Sequence, residues 1–181
     1  FQPENKQAEL DALTAEIKAA AEGLVESDEP NPTGLINLMG DVDIYTDEGK
    51  KGYYNYNTDE FYEYDGQYVI FCSELSTYNR IYVYDTKADI TTVNLAIESE
   101  YGSFSIYDAE VTLTALGFNL FKSASDSSYA GIEVPEGSAL TITDKTDSII
   151  AIGDDDCAGI GSYCYYDGGD EYADAGEITI D

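Results

Sequence analysis

Residues 129–143 read YAGIEVPEGSALTIT, and the Ala-Gly-Ile near their start recurs at Ala158-Gly159-Ile160, 28 residues later. Phe104 lies the same 28 residues before Ile132. Such spacings are typical of short strands that stack on one another about 4.8 Å apart, one from each successive coil of the chain. The pattern predicts coils whose aliphatic side chains point to a shared core.

Two further recurrences extend the pattern towards the N-terminus. Phe61–Asp65 recurs as Ile81–Asp85, 20 residues later, and the Tyr-Asp pair of the second segment returns at Tyr107-Asp108, 23 residues later. Because one strand cannot bury its apolar face alone, a stack of this kind needs covered ends.

Period-two alternation of apolar and polar residues supports an all-β reading of the chain after Gly34. Turn residues separate the alternating segments at short intervals, and no second long helical pattern interrupts them. The sequence predicts strands at Leu35–Leu38, Val42–Ile44, Tyr68–Phe71, Ile81–Tyr84, Phe104–Ile106, Val111–Thr114, Leu140–Thr143 and Ile178–Ile180.

The N-terminal segment has the helical spacing that the rest lacks. Over residues 4–24 the apolar positions fall three or four apart on one face, namely Leu10, Leu13, Ile17, Ala20 and Leu24. A polar, proline-containing linker follows at residues 26–32. We therefore predict residues 1–33 to be an amphipathic capping helix with its linker, and residues 34–181 to be the β domain.

The second half of the chain resembles a known bacterial pattern. From Tyr101 onward it is similar to the right-handed β-helical repeats of secreted and cell-surface proteins that carry carbohydrate-binding or adhesin-like labels. The segments that carry the resemblance are Ala109–Thr114, Gly117–Leu120, Tyr129–Thr143, Ala158–Gly161 and Ala175–Ile180. The resemblance implies an all-β, right-handed parallel β-helix at the cell surface or outside the cell. Ser162–Asp174 departs from the pattern, because it is acidic and aromatic where the family is glycine-rich.

Charge and composition exclude several functions. The chain has 37 acidic and 8 basic residues, no histidine and one arginine, Arg80, so its net charge is −29. Such a chain repels nucleic acid and anionic lipid. Histidine-dependent catalysis and a phosphate clamp of several arginines are impossible. No apolar run is long enough for membrane insertion as a helix.

Three cysteines leave the redox compartment open. Cys72 lies in the apolar stretch 68–72, which predicts a buried thiol. Cys157 and Cys164 lie seven residues apart in an acidic segment, and they are either a local disulfide or two free thiols.

Tyrosines recur at the spacing of the predicted coils. In Ile81–Tyr84 the aliphatic residues share one face and the tyrosines the other, so a buried aliphatic face predicts an external tyrosine stripe. Aromatic faces beside carboxylates suit stacking and hydrogen bonding to a sugar. The alternatives are a structural tyrosine ladder or a protein–protein patch. The predicted ligand-binding residues are Tyr62, Tyr64, Tyr82, Tyr84, Tyr107 and Asp85.

Acidic residues are densest between positions 154 and 174. Oxygen-rich loops suit Ca²⁺, and the candidate ligands are Asp154, Asp156, Asp167 and Asp170. An EF-hand reading fails, because its fifth position would be Ala158 and its twelfth Tyr165. The alternative is a solvated acidic surface without a metal.

These observations predict a non-catalytic extracellular binding or adhesion module for a glycan or another cell-surface partner, with Ca²⁺ as the only candidate cofactor. A structural stalk or filament subunit is the first alternative. A polysaccharide-active enzyme is the second. The histidine that hydrolases of the β-helical fold use is missing and Arg80 is the only arginine, which argues against it. The oligomeric state is not readable from the sequence.

Overall fold

The structure, a computed structural model, describes residues 34–124, 128–154, 156–163 and 174–181. The helix predicted over residues 4–24 lies outside these ranges, as does the whole predicted segment 1–33. The described residues contain strands and turns but no helix, and hence no helix that could span a membrane. The all-β class predicted for the chain after Gly34 is confirmed for these residues.

Sixteen strands make up the described part of the chain. They are β1 (Leu35–Asn37), β2 (Val42–Asp47), β3 (Lys50–Asn55), β4 (Glu60–Glu63), β5 (Tyr68–Phe71), β6 (Ile81–Tyr84), β7 (Lys87–Val93), β8 (Ala96–Ser99), β9 (Phe104–Tyr107), β10 (Glu110–Leu116), β11 (Phe118–Ser123), β12 (Ile132–Glu133), β13 (Ala139–Ile142), β14 (Ser148–Ile152), β15 (Ile160–Gly161) and β16 (Glu177–Ile180). All eight predicted strands are present, and β5 and β6 have the predicted bounds.

The strands belong to three sheets. The first has six parallel strands in the order β1-β5-β7-β10-β13-β16, and the second has three parallel strands in the order β14-β11-β8. The third has seven strands in the order β15-β12-β9-β6-β2-β3-β4. This third sheet is mixed, because β3 runs antiparallel to both β2 and β4.

The prediction of a right-handed parallel β-helix is therefore wrong as a description of this fold. A parallel β-helix has only parallel strands in a closed solenoid, whereas the three sheets of this chain do not close into one and the third is mixed. The antiparallel part begins at a two-residue hairpin turn between β2 and β3, where Glu48 and Gly49 both have positive φ angles of 47° and 82°. Two such residues give the tight turn that reverses a strand onto itself.

The strand register explains which sequence recurrences correspond to neighbours. Ile132 pairs with both Phe104 and Ile160, as their 28-residue spacing predicts. Tyr84 pairs with Tyr107. The segments of the 20-residue recurrence are not neighbours, because among the described residues β4 pairs only with β3, and the parallel partners of β6 are β2 and β9. Alternation has the same period in parallel and antiparallel strands, so it cannot distinguish them.

One hydrophobic cluster joins the three sheets. Its members alternate along the strands, and they include Ile70 and Leu113 from the first sheet and Ile97 from the second. Phe104 of the third sheet packs against Phe121 of the second, with ring centroids 5.8 Å apart, and neither side chain is exposed. The inner faces of the sheets meet in this core. The residues that alternate with the core residues along each strand therefore form the outer faces.

Candidate functional site

The outer face of the seven-stranded sheet carries two rows of side chains. The register aligns Asp43, Tyr82, Ser105 and Glu133 on the neighbouring strands β2, β6, β9 and β12. A second row, two residues further along, holds Tyr45, Tyr84 and Tyr107, because Tyr84 pairs with Tyr107 and Tyr45 continues β2 beyond Ile44. Parallel stacking thus brings residues that are distant in sequence onto one surface.

A cleft of about 230 Å³ lies over this face. Charged, aromatic and hydroxyl side chains line it together with one glycine, and its residues are Asp43, Arg80, Tyr82, Gly102, Ser105, Tyr107, Tyr129 and Glu133.

Glu133 has an unusual environment for a carboxyl group. The residue is only 1 % exposed. The oxygen Oε2 accepts hydrogen bonds from the Ser105 hydroxyl at 2.6 Å and from the Tyr107 hydroxyl at 3.3 Å. The other oxygen, Oε1, is buried and has no hydrogen-bond partner among the residues that the structure describes. Leaving a buried polar atom unpaired costs free energy, so the carboxylate of Glu133 is only partly satisfied by the described residues.

Gly102 gives the carboxyl group its space. A Cβ atom at this position would lie 2.5 Å from both Glu133 Oε2 and the Ser105 hydroxyl oxygen. Any side chain here would therefore disturb the hydrogen bond that orients Glu133.

Burial sets the electrostatics of the cleft. Desolvation raises the pKa of Glu133, while the hydrogen bonds from Ser105 and Tyr107 and the charge of Arg80 oppose that rise. Desolvation also raises the pKa of Asp43, against a hydrogen bond from Tyr56. The pKa of Tyr107 is raised as well, first by burial and then by the neighbouring Glu133 charge.

Arg80 forms one wall of the cleft and is held from two sides. Its Nε lies 3.4 Å from Asp41 Oδ2, and its backbone N–H donates to Asp41 Oδ1 at 3.0 Å. Its guanidinium carbon lies 5.9 Å from the ring centroid of Tyr82 and 5.3 Å from that of Tyr101, which is the range of cation–π contacts.

Three of the predicted stripe residues lie together on this face. The rings of Tyr82 and Tyr107 stack with centroids 5.2 Å apart, and Tyr82 lies 5.4 Å from Tyr84. Tyr84 stacks on Tyr45 at 4.7 Å and an interplanar angle of 9°. The aromatic surface therefore runs from the cleft along β6 to β2.

The structure places Tyr62 and Tyr64 away from this surface. Tyr62 stacks on the buried Tyr53, with centroids 5.1 Å apart, and Tyr64 packs against the buried Tyr68 at 5.4 Å. Both pack against the hydrophobic core. The reason is the antiparallel pairing of β3 with β4, which aligns Tyr62 with Tyr53, and Tyr53 in turn with the inward-facing Ile44.

Asp85 lies in the turn after β6 and does not line the cleft. Its φ angle is +51°, and Asp108 has the same role after β9 with a φ of +48°. Aspartate tolerates this left-handed conformation better than most residues. The recurring Tyr-Asp pair is thus explained by a strand end followed by a tight turn.

Sequence reasoning missed most of the cleft. Asp43, Ser105, Tyr129 and Glu133 were not predicted as site residues, and Arg80 was noted only as the single arginine. Glu133 stands inside the segment that predicted the fold, but it looked like an ordinary outward residue of an alternating strand. A signal was available in the 28-residue spacing, because Ser105 lies 28 residues before Glu133 just as Phe104 does before Ile132.

The predicted Ca²⁺ ligands are described only in part. Asp154 Oδ2 accepts a hydrogen bond from the Ser128 backbone N–H at 3.1 Å, and Asp156 is exposed. Asp167 and Asp170 lie outside the described residues. Within the ranges that the structure covers, no group of three or more acidic or cysteine residues could hold a metal. The Ca²⁺ site stays a prediction.

The described cysteines have different states. Cys72 is free and buried, as predicted, and burial raises the pKa of its thiol. Cys157 is disulfide-bonded. Cys164 lies outside the described residues.

A second, larger groove of about 660 Å³ lies beside β10, β13 and β16. Among the described residues, no aromatic side chain lines it, and Glu110 at its edge pairs with Lys87 at 2.6 Å. The cleft over the seven-stranded sheet therefore has the richer chemistry for recognition.

Comparison with protein-family models, with curated proteins and with solved structures finds no match to this chain. Its function must be argued from the geometry of the cleft.

Proposed function

We propose that this chain is a non-catalytic extracellular binding module and that the cleft over the seven-stranded sheet binds a sugar residue of a glycan. The observation that carries the proposal is the buried Glu133, whose Oε1 has no partner among the described residues. A sugar hydroxyl in the cleft can donate to the Glu133 carboxylate. The stacked rings of Tyr82 and Tyr107 beside it offer apolar contact to the ring's C–H surface.

The size of the cleft favours a single sugar ring. Its volume of about 230 Å³ is below the roughly 300–1,000 Å³ of pockets that enclose drug-sized ligands. The aromatic surface continues beyond the cleft through Tyr84 and Tyr45, so neighbouring sugar residues of the glycan can stack on it. Glycan binding therefore uses one recess and one open aromatic surface.

An extracellular location agrees with the disulfide at Cys157, because disulfides persist mainly in oxidising compartments. Ca²⁺ bound near Asp154 and Asp156 is a proposed structural aid and not part of the cleft.

The spacing of the carboxyl groups argues against glycoside hydrolysis. Asp43 and Glu133 share a row with Tyr82 and Ser105 between them. Three strand spacings of about 4.8 Å separate their backbones by about 14 Å. Hydrolytic carboxyl pairs are about 5–5.5 Å or about 6.5–9.5 Å apart, so this pair is poorly placed for either mechanism.

Binding to a glycan array tests the proposal, with Ca²⁺ present and with EDTA. We expect at least one glycan to bind the wild type, and Tyr82→Ala to weaken that binding by about 3- to 10-fold through loss of a stacking contact. Tyr78→Ala is the matched control, because Tyr78 is 82 % exposed and does not line the cleft. Circular dichroism of both variants checks that they fold.

Three results would contradict the proposal. Absence of binding to every glycan would favour the stalk alternative. Equal losses in the two tyrosine variants would move the site elsewhere. Release of reducing ends from a polysaccharide would show an enzyme instead.

A further inference from the structure

Acidic groups outnumber basic ones at the cleft. Asp41, Asp43 and Glu133 surround a single cation, Arg80. Asp41 already binds both the Nε and the backbone N–H of Arg80. No hydrogen bond or ion pair joins Arg80 to Glu133, so the negative charge of Glu133 has no directly bonded cation within the described chain.

The hydrogen-bonding needs of Glu133 also favour a cation over a neutral group. Both protein donors reach Oε2, and the buried Oε1 has no donor among the described residues, so the carboxylate is only partly satisfied. An ammonium group has three N–H donors and no acceptor, and its hydrogen bonds to a carboxylate are stronger than those of a neutral hydroxyl. A positively charged donor therefore fits the Glu133 carboxylate best.

The aromatic side chains add to this preference. Tyr82, Tyr107 and Tyr129 line the same cleft as Glu133. The face of a tyrosine ring attracts a cation, and Arg80 already uses this attraction at Tyr82 and Tyr101. Rings that are not covered by Arg80 can hold a second cation.

The charge of the whole protein acts in the same direction. A net charge of −29 raises the local concentration of cationic ligands and lowers that of anionic ones. Sugars that carry carboxylate or sulfate groups are therefore poor ligands for this cleft.

Resting on the proposed function, we propose that the cleft selects amino sugars, and that the protonated amine of one sugar residue donates to the Glu133 carboxylate while its ring lies against the tyrosines. The amine is the feature that the cleft distinguishes. An N-acetylated or a hydroxylated residue of the same shape lacks the charge and binds more weakly.

Isothermal titration calorimetry with three tetrasaccharides tests the inference. The probes are β-1,4-linked oligomers of glucosamine, N-acetylglucosamine and glucose, at a pH where the amine is protonated. Salt at about 0.15 M limits the reach of the overall charge to about 8 Å. We expect the glucosamine oligomer to bind about 10- to 100-fold more tightly than the other two, as a hydrogen bond to a charged group predicts.

Two charge-matched variants separate the local contact from the overall charge. Glu133→Gln and Glu136→Gln each remove one negative charge, and Glu136 is exposed and outside the cleft. We expect the preference for the amino sugar to disappear in E133Q and to persist in E136Q. Equal behaviour of the two variants would show non-specific attraction and overturn the inference.

The outcomes also distinguish the two proposals. Tighter or equal binding of the neutral glucose oligomer overturns the amino-sugar inference while glycan binding stands. Absence of binding by all three oligomers, together with a negative glycan array, overturns both.

Discussion

Phe104→Ala is expected to lower the free energy of unfolding by about 3–5 kcal/mol, the usual cost of removing a fully buried phenylalanine side chain. Phe104 has no exposed surface, and its ring packs against Phe121 across the junction of two sheets. It also lies on β9, between β6 and β12, whose outward residues form the cleft. The variant therefore leaves a cavity directly beneath the site.

Urea unfolding of the variant and of Phe118→Ala measures this effect. Phe118 is on β11 of the second sheet but is 53 % exposed, so its truncation should change the free energy of unfolding by about 0.5 kcal/mol or less. Similar losses in the two variants would show that Phe104 is not in a close-packed core.

Glu133→Gln is expected to stabilise the free protein at neutral pH while it weakens ligand binding. The carboxylate is buried with one unpaired oxygen, and a neutral amide of the same shape avoids burying a charge. We expect a gain of about 1–3 kcal/mol at pH 8, which is the range for a buried group left without its partner.

The pH dependence has a definite sign. Burial raises the pKa of Glu133 in the folded protein. The folded state therefore holds a proton more tightly than the unfolded state, and the stability contributed by this group is lost as the pH rises from the unfolded pKa through the folded one. E133Q lacks this titration, so its advantage over the wild type should be smallest near pH 4 and grow towards pH 8.

Urea unfolding of the wild type and E133Q between pH 4 and pH 8 gives this difference directly. Other groups that titrate in the range, including Asp43, are common to both proteins and cancel in the comparison. E136Q is the control for removing one negative charge from an exposed position. A destabilised E133Q across the whole range would show that the charge of Glu133 has a structural partner.

The sequence predicted the strands well because burial imposes their alternation. Tyr68–Phe71 and Ile81–Tyr84 have the predicted bounds, since each has apolar residues on the inner face and a turn signal at its end. The arrangement of the strands was predicted less well. The hairpin at Glu48-Gly49 reverses the chain, and period-two alternation does not show whether neighbouring strands run parallel or antiparallel.

The site could be predicted only where its residues resemble one another. Tyr82, Tyr84 and Tyr107 recur along the chain, so their shared face was readable. Glu133 and Arg80 do not recur in the sequence. Their place in the cleft depends on residues of other strands, and only the strand register shows which residues these are. One polar residue in an alternating strand looks the same whether it meets solvent or a cleft.

The most direct test of the central claim is a titration of ¹⁵N-labelled protein with the glucosamine tetrasaccharide, followed by the backbone amide chemical shifts. The account predicts that the largest changes occur at Gly102, Ser105, Tyr107 and Glu133, which line the cleft. Changes concentrated instead at Asp154 and Asp156, or beside the second groove at Gly137 and Ser138, would contradict it.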